Sequence, residues 1–108
     1  MTSRKIGKGE DFLAGILSRA IELRGDEIEI EYKDGYEEIF AIHNCLGRGI
    51  GRIESDSEEA RSLRQLLHKV EGKTKIRVGA DDYQIRVDIH DSFGEDAFRV
   101  SFKRLKSA

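Results

Sequence analysis

Gly72-Lys73-Thr74 imitates the end of a phosphate-binding loop, in which glycines let backbone amides cradle phosphates at the start of a helix. The imitation fails twice. The position five before Gly72 is Leu67, where such a loop needs glycine, and the tripeptide leaves a helical pattern for a strand, the reverse of the required order. Gly47, Gly49 and Gly51 make a second glycine run, but it lacks the third-glycine spacing of a dinucleotide fingerprint and opens no helix. Alternating glycines weaken a strand, so this run predicts irregular backbone, a bulge or a sharp bend.

His43 and Cys45 could share one face of a strand, yet two ligands do not make a metal site, and His68 and His90 fall on other elements. Packing is the simpler role for both. Glu27, Glu29 and Glu31 line one face of a strand. Acid–base pairs need surroundings that drive their pKa values apart, and this row reads as solvated. No serine, cysteine or threonine nucleophile can be singled out with a base and an orienting acid. The reading is a non-enzymatic chain with no cofactor and no metal.

The elements that would position these residues follow from periodicity. Phe12, Leu13, Ile16, Leu17, Ala20 and Ile21 recur at three- and four-residue spacing behind Glu10 and Asp11, which predicts a helix ending near Gly25. From Glu27 the period becomes two, with Ile28, Ile30 and Tyr32 on the apolar side. Asp34-Gly35 is a hairpin pair, and Ile39 to Leu46 is suited to the second strand. Ser55-Asp56-Ser57-Glu58 has the spacing of a capping box ahead of the stripe Ala60, Leu63, Leu66, Leu67 and Val70, with Gly72 as a left-handed stop. Three strands close the chain: Lys73 to Val78, one carrying Tyr83, Ile85, Val87 and Ile89, and one carrying Phe98, Val100 and Phe102. Asp81-Asp82 and Asp91 to Glu95 are the turns between them. One-faced strands need covering helices, so the expectation is an α+β two-layer domain. It has an antiparallel sheet of about five strands, two helices on one face and the order α-β-β-α-β-β-β. In the last hairpin, apolar residues share a face only if Ile89 meets Phe98, Val87 meets Val100 and Ile85 meets Phe102. That register sets Asp88 beside Arg99 and leaves Arg86 opposite Ser101, without a charged partner on that strand pair.

Length and charge bound the function classes. The 108 residues suit a single domain, 1–108, with one core, and residues 1–9 read as a frayed terminus. Hydrophobic residues are 38% and charged residues 37%, polar for a globular protein but rich enough in Ile, Leu, Val and Phe to fold. The 19 basic and 21 acidic residues alternate along the chain and give a net charge of -2, which argues against a nucleic-acid surface. The cluster Arg4, Lys5, Lys8 is too short to change that. Cys45 is the only cysteine, and neither a signal peptide nor a membrane-spanning run is present. A cytoplasmic protein with no membrane and no nucleic-acid partner is the expectation.

Leu17 to Gly35 reads L-S-R-A-I-E-L-R-G-D-E-I-E-I-E-Y-K-D-G, which resembles the opening of the N-terminal PAS-like domain of type II secretion and type IV pilus ATPases. In that family a helix runs into an A-S-D-I-H-I-E-P strand. Asp26 to Glu31 would occupy it here, with Glu29 where the family has histidine. Asp82 to Val87, Gly94-Glu95 and Phe98 to Leu105 are similar to the family's closing segments, so the resemblance runs from about Asp11 to Leu105. The motor domain, with its P-loop and acidic boxes, is missing. The resemblance implies a PAS-like domain that packs over a motor's nucleotide site and turns arginines toward phosphates. Arg86 matches the first of these arginines. Val100 falls at the place of the second, with Arg99 one residue early, which on a strand reverses the face. The implied partner is a protein, for which a secretion or pilus ATPase motor domain is the candidate. A small-ligand-sensing PAS-like module is the alternative.

Overall fold

The computed structural model describes residues 8–92 and 94–106. The first apolar stripe winds into helix α1 (Lys8–Glu22), with Glu10 and Asp11 in the first turn, where the helix dipole favours negative charge. Of the segment 1–9 expected to fray, Lys8 and Gly9 are helical, and residues 1–7 lie outside the described residues. Gly9 is buried with reason. A Cβ there would stand 2.5 Å from the backbone oxygen of Ser62, so only glycine lets the two helices approach this closely. The helix ends in a Schellman turn, in which Arg24 takes the left-handed conformation (φ 63°) and the Gly25 amide donates to the Ala20 carbonyl at 2.8 Å.

Strands β1 (Glu27–Lys33) and β2 (Tyr36–His43) form the expected hairpin, and Asp34 and Gly35 both have positive φ, as a type I′ turn requires. Beyond it the structure departs from the sequence expectation. The second strand stops at His43, Asn44 and Cys45 make another turn with φ 51° and 66°, and Leu46–Glu54 forms a further strand, β3. Tertiary pairing with β2 overrides the weak strand propensity of its glycines. The expected bulge is present as a register shift: Ile39 opposes Gly51 and Phe40 opposes Gly49, leaving Ile50 as the extra residue. Among the described residues the sheet thus has six strands, not about five, and the element order is α-β-β-β-α-β-β-β.

Helix α2 (Glu58–Lys69) is capped by Ser57, whose Oγ accepts from the Ala60 amide at 3.1 Å. The expected cap, Ser55, is used elsewhere: its hydroxyl donates to Glu37 at 2.6 Å. After Gly72, at φ 98°, come β4 (Gly72–Val78), β5 (Asp81–Ser92) and β6 (Glu95–Arg104). Asp81 and Asp82 belong to β5, because Gly79 at φ 64° takes the turn with Ala80. Asp91 and Glu95 also extend the ladder instead of leaving it.

All pairs are antiparallel and the sheet order is β3-β2-β1-β6-β5-β4, with β1 beside β6 at the centre. The last hairpin has the register expected from its apolar alternation, including Asp88 opposite Arg99 and Arg86 opposite Ser101. Both helices cover one face, burying Ile28, Ile30, Ile85, Val87, Phe98 and Val100 against Leu13, Leu17, Leu63 and Leu67. This is a two-layer α+β domain.

Candidate docking face

The side chains that alternate away from the core make up the uncovered face of the sheet, and the ladder registers place them in rows. Lys73 opposes Arg86, which opposes Ser101; Lys75 opposes Gln84, which opposes Lys103. Directly opposed like charges such as Lys73 and Arg86 destabilise a strand pair. Four cations therefore stand around Gln84 and Ser101, and Lys73, Arg86 and Lys103 line a shallow hollow of about 300 Å³, with Lys75 opposite Gln84 beside it. Among the described residues Lys73, Lys75 and Lys103 have no carboxylate partner. Arg86 does have one, contrary to expectation, because Asp88 lies two positions along the same strand, with Nε to Oδ1 at 3.7 Å. That pair is more than half exposed on both sides, so it restrains Arg86 only weakly.

Arg99 has a different environment. Across the β1–β6 seam it opposes Glu29, and both its Nε, at 3.2 Å, and its Nη2 donate to Glu29 Oε2, while Glu27 Oε1 lies 4.0 Å away. The hydrogen bond with Glu29, then its charge, holds the Arg99 guanidinium above its ordinary pKa. Asp88 is its neighbour in the register but not its ion-pair partner. The row Glu27, Glu29 and Glu31, which reads as fully solvated, is half-buried, and its first two members serve as counterions to Arg99. The two arginines singled out by resemblance thus share a face but not a condition: Arg99 is committed within the sheet, and Arg86 stands among cations.

A second concavity lies on the helix-covered side of the sheet. A polar cleft of about 780 Å³ runs between α2 and the sheet, past Tyr32, Glu37, Ser55, Arg64, His68 and Asp96. Glu37 points to the helix side and is buried. Its Oε2 accepts from Ser55 Oγ and from Arg64 Nη1 at 3.2 Å, Arg64 Nη2 donates to the Ser55 carbonyl at 2.9 Å, and Glu37 Oε1 has no partner among the described residues. His68 Nε2 meets Asp96 at 3.0 Å, and its ring stands edge-on to Phe98. The Ser55 proton is directed at Glu37 instead of at a histidine, so the cleft does not assemble the serine–histidine–acid order of an acyl-transfer site. Its serine, carboxylate and arginine build a part-buried polar network, with Glu37 its buried member, that ties α2 to β2. Sequence reasoning missed this network, since Glu37 follows the hairpin as one more charged residue; the signal was its parity, which puts it on the side of Ile39 and Ala41.

His43 and the exposed Cys45 lie at the β2–β3 turn, away from His68 and His90. Among the described residues no group of three or more histidine, cysteine, aspartate or glutamate side chains could hold a metal ion. No described helix is long and apolar enough to cross a membrane. No family model matches the chain, and no curated protein matches it either.

Proposed function

We propose that this chain is a non-enzymatic, PAS-like interaction domain that docks the uncovered face of its sheet, centred on Arg86, onto an anionic surface of a protein partner. The observation that carries the reading is the concentration of Lys73, Lys75, Arg86 and Lys103 around Gln84 and Ser101. A fold has no use for like charges facing one another across a ladder, whereas a partner's carboxylates or phosphates would relieve them. Arg86 supplies the planar fork for bidentate contact, and the lysines supply charge. The resemblance to the N-terminal domains of secretion and pilus ATPases names the motor domain of such an ATPase as the partner to try first.

Size-exclusion chromatography of the chain mixed with a purified pilus-ATPase motor domain, with Arg86→Ala and Lys73→Glu/Lys103→Glu beside the parent, tests the reading. A complex weakened by both variants and by added salt supports it. A complex that tolerates both, or no complex at about 100 μM, defeats it. Small-ligand sensing is the second reading, and one observation favours it: the 780 Å³ cleft whose buried Glu37 has an unpartnered oxygen.

A further inference from the structure

The glycines of β3 serve neither a turn nor a close contact inside the domain. None of Gly47, Gly49 and Gly51 has a left-handed φ. Among the described residues, a Cβ added at Gly47 or Gly49 would meet only Phe40 atoms at 4.0 Å, and one at Gly51 would meet nothing within 4 Å. Gly49 and Gly51 flank the bulged Ile50, but with no left-handed φ and no crowding among the described residues the bulge does not require glycine at either, so the three glycines lower the stability of the strand. Glycine in a strand otherwise marks a place where another backbone comes close. The outer side of β3 is such a place: it is an edge of the sheet, with outward amides and carbonyls that no other strand among the described residues pairs.

A groove of about 390 Å³ runs beside that edge, between α1 and β3, floored by Phe12, Ile16, Ile39, Ile50 and Ile53. Gly51 keeps its wall open. Leu46, 75% exposed, stands at the start of the same strand. Around the edge and groove Arg19, Arg48 and Arg52 outnumber Asp11 and Glu54; Arg52 lies over the Tyr36 ring at 4.7 Å and opposes Glu38, which is itself paired with Lys33. A second copy pairing its own β3 here would set four arginines along one seam, which the charge disfavours. An acidic strand is favoured by the same arithmetic.

We propose that the β3 edge and its groove bind an extended acidic segment of a protein partner as a seventh strand, with alternate apolar side chains seated between α1 and β3. Main-chain pairing supplies the contact, the groove selects the apolar positions, and the arginines select glutamate or aspartate between them. The site is separate from the docking face around Arg86.

A nine-residue capped peptide alternating glutamate and valine is a suitable probe, with a lysine–valine peptide of the same pattern as control, each titrated into the isotopically labelled full chain by NMR. The expected result is saturable shifts at Leu46–Glu54, Phe12 and Ile16, and protection of outward β3 amides from exchange. Arg86→Ala should leave them unchanged. Gly51→Val should fill the groove and weaken the acidic peptide at least about tenfold while leaving Tm equal or higher, and Arg48→Glu/Arg52→Glu should do so without filling it. The proposal is overturned by no saturation at about 1 mM, by equal affinity for the lysine peptide, by shifts centred on the open face, by a fall in Tm for Gly51→Val, or by dimerisation through β3.

Discussion

Glu37 and Arg64 should respond very differently to removal, although each is the other's partner. The Glu37 side chain is 4% exposed and that of Arg64 31%, with the polar cleft alongside to admit water. Replacing Arg64 with Met leaves a buried carboxylate held only by the Ser55 hydroxyl, and breaking a buried pair in this way costs about 3–5 kcal/mol. Replacing Glu37 with Leu leaves a guanidinium that can turn to solvent and keep its bond to the Ser55 carbonyl, so the loss should be about 1–2 kcal/mol. It also removes the unpartnered Oε1 from the interior. Glu37→Leu/Arg64→Met should therefore be more stable than Arg64→Met alone, a coupling of about 2 kcal/mol. Urea unfolding at pH 7, followed by far-UV circular dichroism with a common m-value, measures all four proteins. Equal losses for the two single variants, or losses that simply add, would refute the account of a buried charge held by a half-wet partner.

Phe98→Ala should cost about 3–5 kcal/mol in the same assay, since Phe98 is fully buried beneath Ile30, Ile89 and His68; a loss under about 1 kcal/mol would contradict its place in the core. Gly9→Ala should destabilise by about 1–3 kcal/mol despite alanine's better helix propensity, because the added carbon would strike the Ser62 backbone; a gain in Tm would refute the close approach of the helices. Arg86→Ala should change unfolding by less than about 0.5 kcal/mol while weakening partner binding, and loss of fold would remove it from the docking argument. Calorimetry should find no micromolar magnesium-ATP binding to the chain alone, because Gly72-Lys73-Thr74 opens a strand where a phosphate loop would open a helix.

Period and capping made most of the architecture readable. The two helices, the Asp34-Gly35 hairpin and the full register of the last hairpin follow from apolar spacing, because a slip of one residue there would turn Ile85, Val87 and Ile89 to solvent. Strand β3 was hidden for a physical reason. Its turn uses Asn44 and Cys45 where sequence signals look for a glycine, and its apolar alternation is diluted by three glycines, so only the pairing with β2 creates it. The candidate docking face was half legible. Parity alone put Arg86 and Arg99 on one face, but their different fates were set by β1, which lies about seventy residues away in sequence and delivers Glu29 to Arg99. Glu37 and Ser55 were missed for a similar reason, since strand β2, the segment before α2 and Arg64 on α2 meet only in the folded chain, beyond any local window.

The seam between β1 and β6 also governs how the sheet can come into being. Residues 8–54 fold back on one another as a helix and a three-strand meander, and residues 58–104 do the same, each through tight local turns. Only the pairing of Glu27–Ile30 with Phe98–Ser101 joins the two meanders into one ladder. Closing that loop costs the chain its largest entropy loss for a handful of hydrogen bonds. During synthesis β1 is made early and then waits, one side paired to β2 and the other bare, until Phe98 has left the ribosome. Its exposed edge in that interval is Glu-Ile-Glu-Ile-Glu, and the carboxylates that later hold Arg99 repel those of a second such edge, which disfavours pairing between two unfinished chains.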